Sequence, residues 1–227
     1  QSAANGNRPA VAVVNRLDSD VARFMEEGGT ALFLVRSPGD IEYELMQRTG
    51  IRIRDRRVRI DERTKEKNPW EGDWVSNFNW IKHDTVFEGI PRTIDSPFSG
   101  ELMDMQYYRV IPNQVILGWN PEREFGDILA GMVVGWVHAP VALMAQCKWG
   151  KGRLLVTSLN LESTYGDDPV ATVIFNNLLA YVTGNRFRPQ KDALAPKRNS
   201  NREQQQAKAG ENAAEPVAQP VPAEAGR

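Results

Sequence analysis

The sequence has few of the residues from which most catalytic and metal sites are built. Its 227 residues include one cysteine, Cys147, and two histidines, His83 and His138. A single cysteine excludes an intrachain disulfide, although exported bacterial proteins often have none. Neither histidine has a second histidine or cysteine at metal-ligand spacing, so we expect no zinc or transition-metal site.

An excess of charge and a long apolar run are also missing. The chain carries 28 Lys and Arg against 29 Asp and Glu residues, for a formal net charge of −1. That balance gives no reason to expect nucleic acid as a partner. No apolar run approaches the roughly 20 residues that span a bilayer, so we predict no membrane span.

The chain begins at Gln1 with a polar segment and no signal-peptide core. We therefore expect a processed chain or a piece of a longer one. A periplasmic or extracellular location is favoured over a cytoplasmic one.

The sequence also lacks a phosphate-binding glycine loop. Its one glycine cluster near a predicted strand, Gly150–Gly152, precedes that strand. Dinucleotide and P-loop motifs place their glycines after a strand and before a helix. We therefore predict no cofactor.

What the sequence does contain at its start is a β-α-β pattern. Ala10–Val14 and Ala31–Val35 are short apolar runs, typical of buried strands. Between them, Val21, Phe24 and Met25 fall on one helical face, with Asp18 or Ser19 as the cap. Short connections of this kind predict parallel strands.

The stretch Gly150–Gly184 is the most readable part of the chain. Val141–Cys147 and Arg153–Ser158 predict an antiparallel hairpin with a glycine-containing turn. Pro169 then fits the first position of an amphipathic helix that ends at Gly184, with Asp167 or Asp168 as its cap. The loop between strand and helix lies where α/β proteins often bind a ligand.

Composition divides the chain into three parts. Residues 1–9 form a polar lead-in, and residues 10–187 form the predicted domain. Residues 188–227 are rich in Ala, Pro, Gln, Glu and Asn and contain no aromatic residue. Such a segment cannot bury enough apolar surface to offset its chain entropy, so we predict a disordered tail.

A group of aromatic residues offers the clearest candidate binding surface. Trp70, Trp74 and Trp80 lie close together in the sequence, with Phe78 among them. Exposed indoles can stack on sugar rings, and their N–H groups find polar partners. The other interpretation, which we favour, is that these rings pin an irregular segment to the core. Both remain open at this stage.

Two further groups could take part in catalysis. Cys147 ends a predicted strand that leads into a hairpin, whereas a nucleophilic thiol needs a strand-to-helix elbow and a histidine. We interpret it as buried and inert. His83 and Asp84 could form an oriented general base, but such a pair more often fixes a loop.

Four stretches of the chain resemble one known family. They are Val13–Val35, His83–Pro91, Met103–Ile111 and Gly150–Val182. They resemble the glutamine-amidotransferase-like, flavodoxin-like domain found near the C-terminus of some bacterial family-two glycoside hydrolases, which are β-galactosidase-like proteins. The resemblance implies a three-layer α/β fold. Its sheet would be mostly parallel, with a C-terminal antiparallel hairpin and a closing helix.

The resemblance also implies an ancillary role. The amidotransferase triad is not carried over, because no cysteine lies on an elbow and His138 is followed by Ala139 and Pro140. The catalytic carboxylates of the glycosidase belong to a separate barrel of about 250 residues. We therefore expect no catalytic residue here, and a non-catalytic domain of a larger glycoside hydrolase that packs against or shapes the sugar-binding region. Its partners would be other domains of the same polypeptide.

Two alternatives stay open. The chain could be a stand-alone carbohydrate-binding module that uses its tryptophans, which makes carbohydrate a candidate partner. A weaker alternative is a divergent hydrolase with a carboxylate base near His83 and Asp84.

Overall fold

The computed structural model describes residues 10–55, 78–82, 85–90, 109–110, 112–134 and 139–195. Eight strands and four α-helices lie in these ranges. The strands are β1 (Val11–Val14), β2 (Thr30–Leu34), β3 (Arg52–Asp55), β4 (Phe78–Ile81), β5 (Gln114–Leu117), β6 (Ile128–Val134), β7 (Ala139–Trp149) and β8 (Gly152–Thr157). The helices are α1 (Ser19–Glu26), α2 (Tyr43–Thr49), α3 (Pro121–Glu124) and α4 (Pro169–Thr183).

The strands form one mixed sheet in the order β1-β2-β8-β7-β5-β3, with β6 pairing with both β7 and β4. Among the described strands, two pairs are parallel, β1 with β2 and β2 with β8. The other five pairings are antiparallel. The predicted three-layer, mostly parallel flavodoxin-like fold is therefore wrong. A parallel pair needs a crossover of about a dozen residues or more, usually a helix. In the described chain from β3 to β7, the one α-helix has four residues.

The predicted β-α-β unit is confirmed. Val11 pairs with Thr30 and Val13 with Leu32 in a parallel register. The side chain of Asp18, not that of Ser19, caps α1 by accepting a hydrogen bond from the Val21 amide at 3.0 Å. Strand β8 then adds to the other edge of β2, again in parallel.

The predicted hairpin is confirmed as β7 and β8, which pair in an antiparallel register from Met144 to Trp149. Gly150 takes a left-handed φ of 59° at the turn. Gly152 serves another purpose. A Cβ atom there would lie 2.0 Å from the Gly29 carbonyl oxygen and 2.3 Å from that of Met25. Only glycine lets β8 begin this close to the end of α1.

The predicted closing helix is confirmed as α4. Pro169 occupies its first turn, and Asp168 is the cap, because its Oδ1 accepts from the amides of Val170 and Ala171 at 2.9 and 3.1 Å. Ile174, Leu178 and Val182 are fully buried. None of the helices that the structure describes has the length and apolar character that crossing a membrane requires.

The centre of the sheet is buried on both faces. Leu32 and Leu155 lie in the hydrophobic cluster that includes α4, whereas Phe33 and Val156 lie in the cluster that includes Met25 of α1. Successive side chains of a strand point to opposite faces, so two-sided burial requires a continuous apolar run. This explains why β2 and β8 have near-unbroken apolar sequences.

The chain divides into two units, Gln1–Leu194 and Ala195–Arg227. Every element above belongs to the first unit. Residues 188–194, which composition assigned to the tail, also belong to it: Ala193 is buried, and the backbone of Lys148 exchanges hydrogen bonds with Lys191 and Ala193. Of the second unit, Ala195 is the one residue among those described.

Candidate functional site

A cleft of about 320 Å³ lies at the carboxyl ends of the adjacent parallel strands β2 and β8. Its walls are formed by Leu34–Arg36 at the end of β2, by Asn113 and Gln114 at the start of β5, and by residues 158–163 after β8. In open α/β sheets, ligands bind outside the carboxyl ends of the strands. The cleft contains the first half of the loop that the sequence marked as a candidate ligand position.

Arg36 is the central charged group of the cleft. Its Nε donates to Glu162 Oε2 at 2.7 Å, and its Nη2 donates to Glu162 Oε1, so the pair is bidentate. With its amide oxygen facing the guanidinium, Asn15 accepts from Nη1 at 3.2 Å and from Nη2 at 3.0 Å. The hydrogen bond to Glu162 raises the pKa of Arg36 above its ordinary value. The group therefore stays cationic.

Asp40 fixes the backbone that carries Arg36. Its Oδ2 accepts from the amides of Arg36 and Ser37, both at 2.6 Å, and its Oδ1 accepts from the Ser37 hydroxyl at 2.7 Å. The negative charge of Asp40 also raises the pKa of Arg36. Arg36, Glu162 and Asp40 together carry one net negative charge, so the cluster does not attract an anion.

The loop after β8 is tied down by its own polar groups. The Asn160 side-chain amide donates to the Arg109 carbonyl at 3.1 Å, and its oxygen accepts from the Ser163 hydroxyl at 2.5 Å. Ser158 donates to the Leu143 carbonyl at 3.2 Å. Neither serine hydroxyl has a basic partner in these contacts, and none of the described lining residues is a histidine, cysteine or lysine. The cleft thus lacks an activated nucleophile in the part of the chain that the structure describes.

Cys147 is buried within β7, opposite Leu154, and none of its surface is exposed. Burial raises the pKa of its thiol well above the ordinary value, because an apolar interior disfavours the thiolate. The prediction of a buried cysteine is confirmed.

A metal site is likewise not found in the described ranges, where no three His, Cys, Asp or Glu side chains lie close enough to hold an ion.

Of the three tryptophans predicted as a sugar surface, the structure describes Trp80, which does not line the cleft. Trp80 lies in β4, where its ring covers Gly131 and contacts the ring of Phe125 at 5.3 Å between centroids. Trp70 and Trp74 lie outside the described residues, as do His83, Asp84 and His138. Their predicted roles stay predictions.

Several residues in or beside the cleft were not singled out from sequence, above all Asn15, Arg36, Asn113 and Gln114. A usable signal existed for two of them. Asn15 directly follows β1 and Arg36 lies two residues after the end of β2, and the carboxyl ends of parallel neighbours meet at one edge of a sheet. Glu162 is 126 residues from Arg36 in sequence, so no local pattern could have paired them.

Comparison with known proteins gives one family match. The model of a domain of unknown function (DUF8487) matches residues 101–199, which is less than half of the chain. The matched stretch runs from before β5 to beyond α4. It includes Asn113, Gln114 and Glu162 of the cleft but not Arg36, nor Asn15 beside it. No curated protein matches the chain.

Proposed function

We propose that this domain is a non-catalytic accessory part of a larger carbohydrate-active enzyme, a β-galactosidase-like glycoside hydrolase, in which it packs against or shapes the sugar-binding region. The observation that carries the non-catalytic part is the composition of the cleft. It lies at the carboxyl ends of β2 and β8, yet its described lining consists of amides, hydroxyls, aliphatic side chains and one Arg–Glu pair.

Neither of the two reactions related to the resemblance finds its catalytic groups among the described residues of the cleft. Glycoside hydrolysis needs two carboxyl groups that face each other across the sugar. Glu162 has both oxygens on Arg36, and Asp40 accepts three hydrogen bonds from the loop after β2. Glutamine hydrolysis needs an accessible thiolate, and Cys147 is fully buried.

The link to carbohydrate-active enzymes is supported by two of the stretches that resemble that family. Val13–Val35 spans the second half of β1 and all of α1 and β2. Gly150–Val182 covers β8 and almost all of α4. These stretches supply the parallel part of the sheet, and both contribute walls to the cleft. The mixed sheet as a whole does not support the link.

An activity assay on the full chain tests the proposal. We expect the wild-type chain to release nitrophenol from aryl glycosides, and to hydrolyse glutamine, no faster than the Glu162→Gln variant assayed in parallel. A family-two β-galactosidase serves as the positive control for the aryl glycosides. Turnover by the wild-type chain that Glu162→Gln abolishes would show a catalytic cleft and overturn the proposal. Turnover that copurifies with the chain and is retained by Glu162→Gln would place the catalytic groups elsewhere in the chain and would overturn the proposal as well.

A further inference from the structure

We propose that the cleft binds one neutral sugar ring, or a polyol of similar size, through Asn113, Gln114 and the Arg36–Glu162 pair. This inference rests on the proposed function and names the ligand class for the same site. It uses the free hydrogen-bonding groups, the charge and the size of the cleft.

The free groups come first. Within the described residues, the side chains of Asn113 and Gln114 have no hydrogen-bond partner, although both line the cleft. Each carboxamide can donate two hydrogen bonds and accept two. A hydroxyl group also donates and accepts, so a polyol can use both functions of each amide.

The Arg36–Glu162 pair keeps part of its capacity. A guanidinium has five N–H donors, of which two face Glu162 and two face Asn15. One donor on Nη1 is left. Each Glu162 oxygen accepts one bond from Arg36, and a carboxylate offers about four acceptor positions. Neighbouring hydroxyls of a sugar could therefore accept from Arg36 and donate to Glu162 at the same time.

The charge of the cleft selects against anions. Arg36 is neutralised by Glu162, and Asp40 adds a further negative charge beside it. A carboxylate or phosphate on the ligand would compete with Glu162 for Arg36 and be repelled by Asp40. A neutral ligand meets neither cost.

The size of the cleft suits a small ligand. At about 320 Å³, it lies at the lower end of the roughly 300–1,000 Å³ of small-molecule pockets, a volume that accommodates a single ring. Leu34, Leu159 and Leu161 line the cleft but are buried, so the C–H groups of the ring gain little aliphatic contact. The described lining has no aromatic ring to stack on the sugar, so we expect binding in the millimolar range.

The test is a titration of the ¹⁵N-labelled full chain with sugars. NMR spectra monitor the signals of the backbone amides, the side-chain amides and Arg36 Nε. The neutral probes are galactose and glucose, and the charged probe is glucuronate. We expect at least one neutral sugar to shift the side-chain signals of Asn113 and Gln114 saturably and to bind more tightly than glucuronate. In Gln114→Ala, loss of one hydrogen bond should weaken that binding about tenfold.

The matched control is Asn185→Ala, which removes an exposed amide outside the cleft. It should bind as the wild type does, and the urea midpoints of both variants should show that they fold. The inference is overturned if no neutral sugar gives a saturable shift, if glucuronate binds more tightly, or if Asn185→Ala loses as much affinity as Gln114→Ala. Absence of binding together with absence of turnover would leave the accessory role standing, whereas turnover overturns that role itself.

Discussion

The thiol of Cys147 shows how one side chain takes its chemistry from its place in the sheet. It is fully buried in β7, and burial raises its pKa. In the unfolded chain the thiol titrates near its ordinary pKa of about 8.5. Because the folded-state pKa is the higher one, the thiol contributes full stability below about pH 8.5 and loses it as the pH rises further.

We therefore expect the free energy of unfolding of the wild type to fall relative to that of Cys147→Ala by about 1.4 kcal/mol per pH unit above about pH 8.5. Alanine leaves a small cavity, but this cost does not change with pH. Urea unfolding of both proteins, measured in steps from neutral pH to about pH 10, gives the difference. Parallel stability curves across this range would show that the thiol is not held neutral by the fold.

Single residues were predictable where the cause is local. The sequence predicts the cap of α1 and the cap of α4 to within two neighbouring residues each, because a capping side chain reaches amides only two or three residues away. The structure assigns Asp18 and Asp168. The Arg36–Glu162 pair was not predictable, since it depends on which two strands become neighbours.

At the scale of elements, the segment after Phe187 is held by a buried carboxylate. Asp127 is 2% exposed, and it accepts from the amides of Gln190 at 3.0 Å and Lys191 at 2.5 Å. It also accepts from Gln146 Nε2 at 3.1 Å, and Gln146 in turn accepts from the Tyr181 hydroxyl. One side chain thus ties the end of the first unit to β7 and α4.

We expect Asp127→Asn to lower the free energy of unfolding by about 2–3 kcal/mol, because hydrogen bonds to a charged group are worth roughly 1.5–3 kcal/mol and an amide nitrogen would face a backbone donor. Asp167→Asn is the matched control, since Asp167 is exposed and is not the helix cap. Urea unfolding followed by tryptophan fluorescence measures both. If the two variants lose the same small amount, the carboxylate is not what anchors this segment.

Elements were predictable where the strands and helices that pair are adjacent in sequence. The β1-α1-β2 unit, the β7–β8 hairpin and α4 all follow this rule. The middle of the sheet does not: β3 pairs with β5, and β4 pairs with β6, in both cases antiparallel and across intervening chain. An apolar run indicates a buried strand but not the direction of its partner, which is why the expected parallel sheet was wrong.

At the scale of the whole molecule, the chain supplies one cleft with binding groups and no catalytic set in its described part. Such a domain could serve as an accessory domain beside a catalytic domain, or as a stand-alone sugar-binding module. The two uses differ in the size of the polypeptide that contains the domain. The barrel of a glycoside hydrolase adds about 250 residues.

The most direct test is the mass of the natural protein that contains this chain. An antibody raised against residues 10–195 is used on an immunoblot of cells and culture medium, and the band is identified by mass spectrometry of its peptides. We expect a band at least about twice the 25.5 kDa of this chain, with peptides from a glycosidase barrel of about 250 residues in the same band. A single band near 25.5 kDa, with no peptides from outside the 227 residues, would contradict the proposed accessory role.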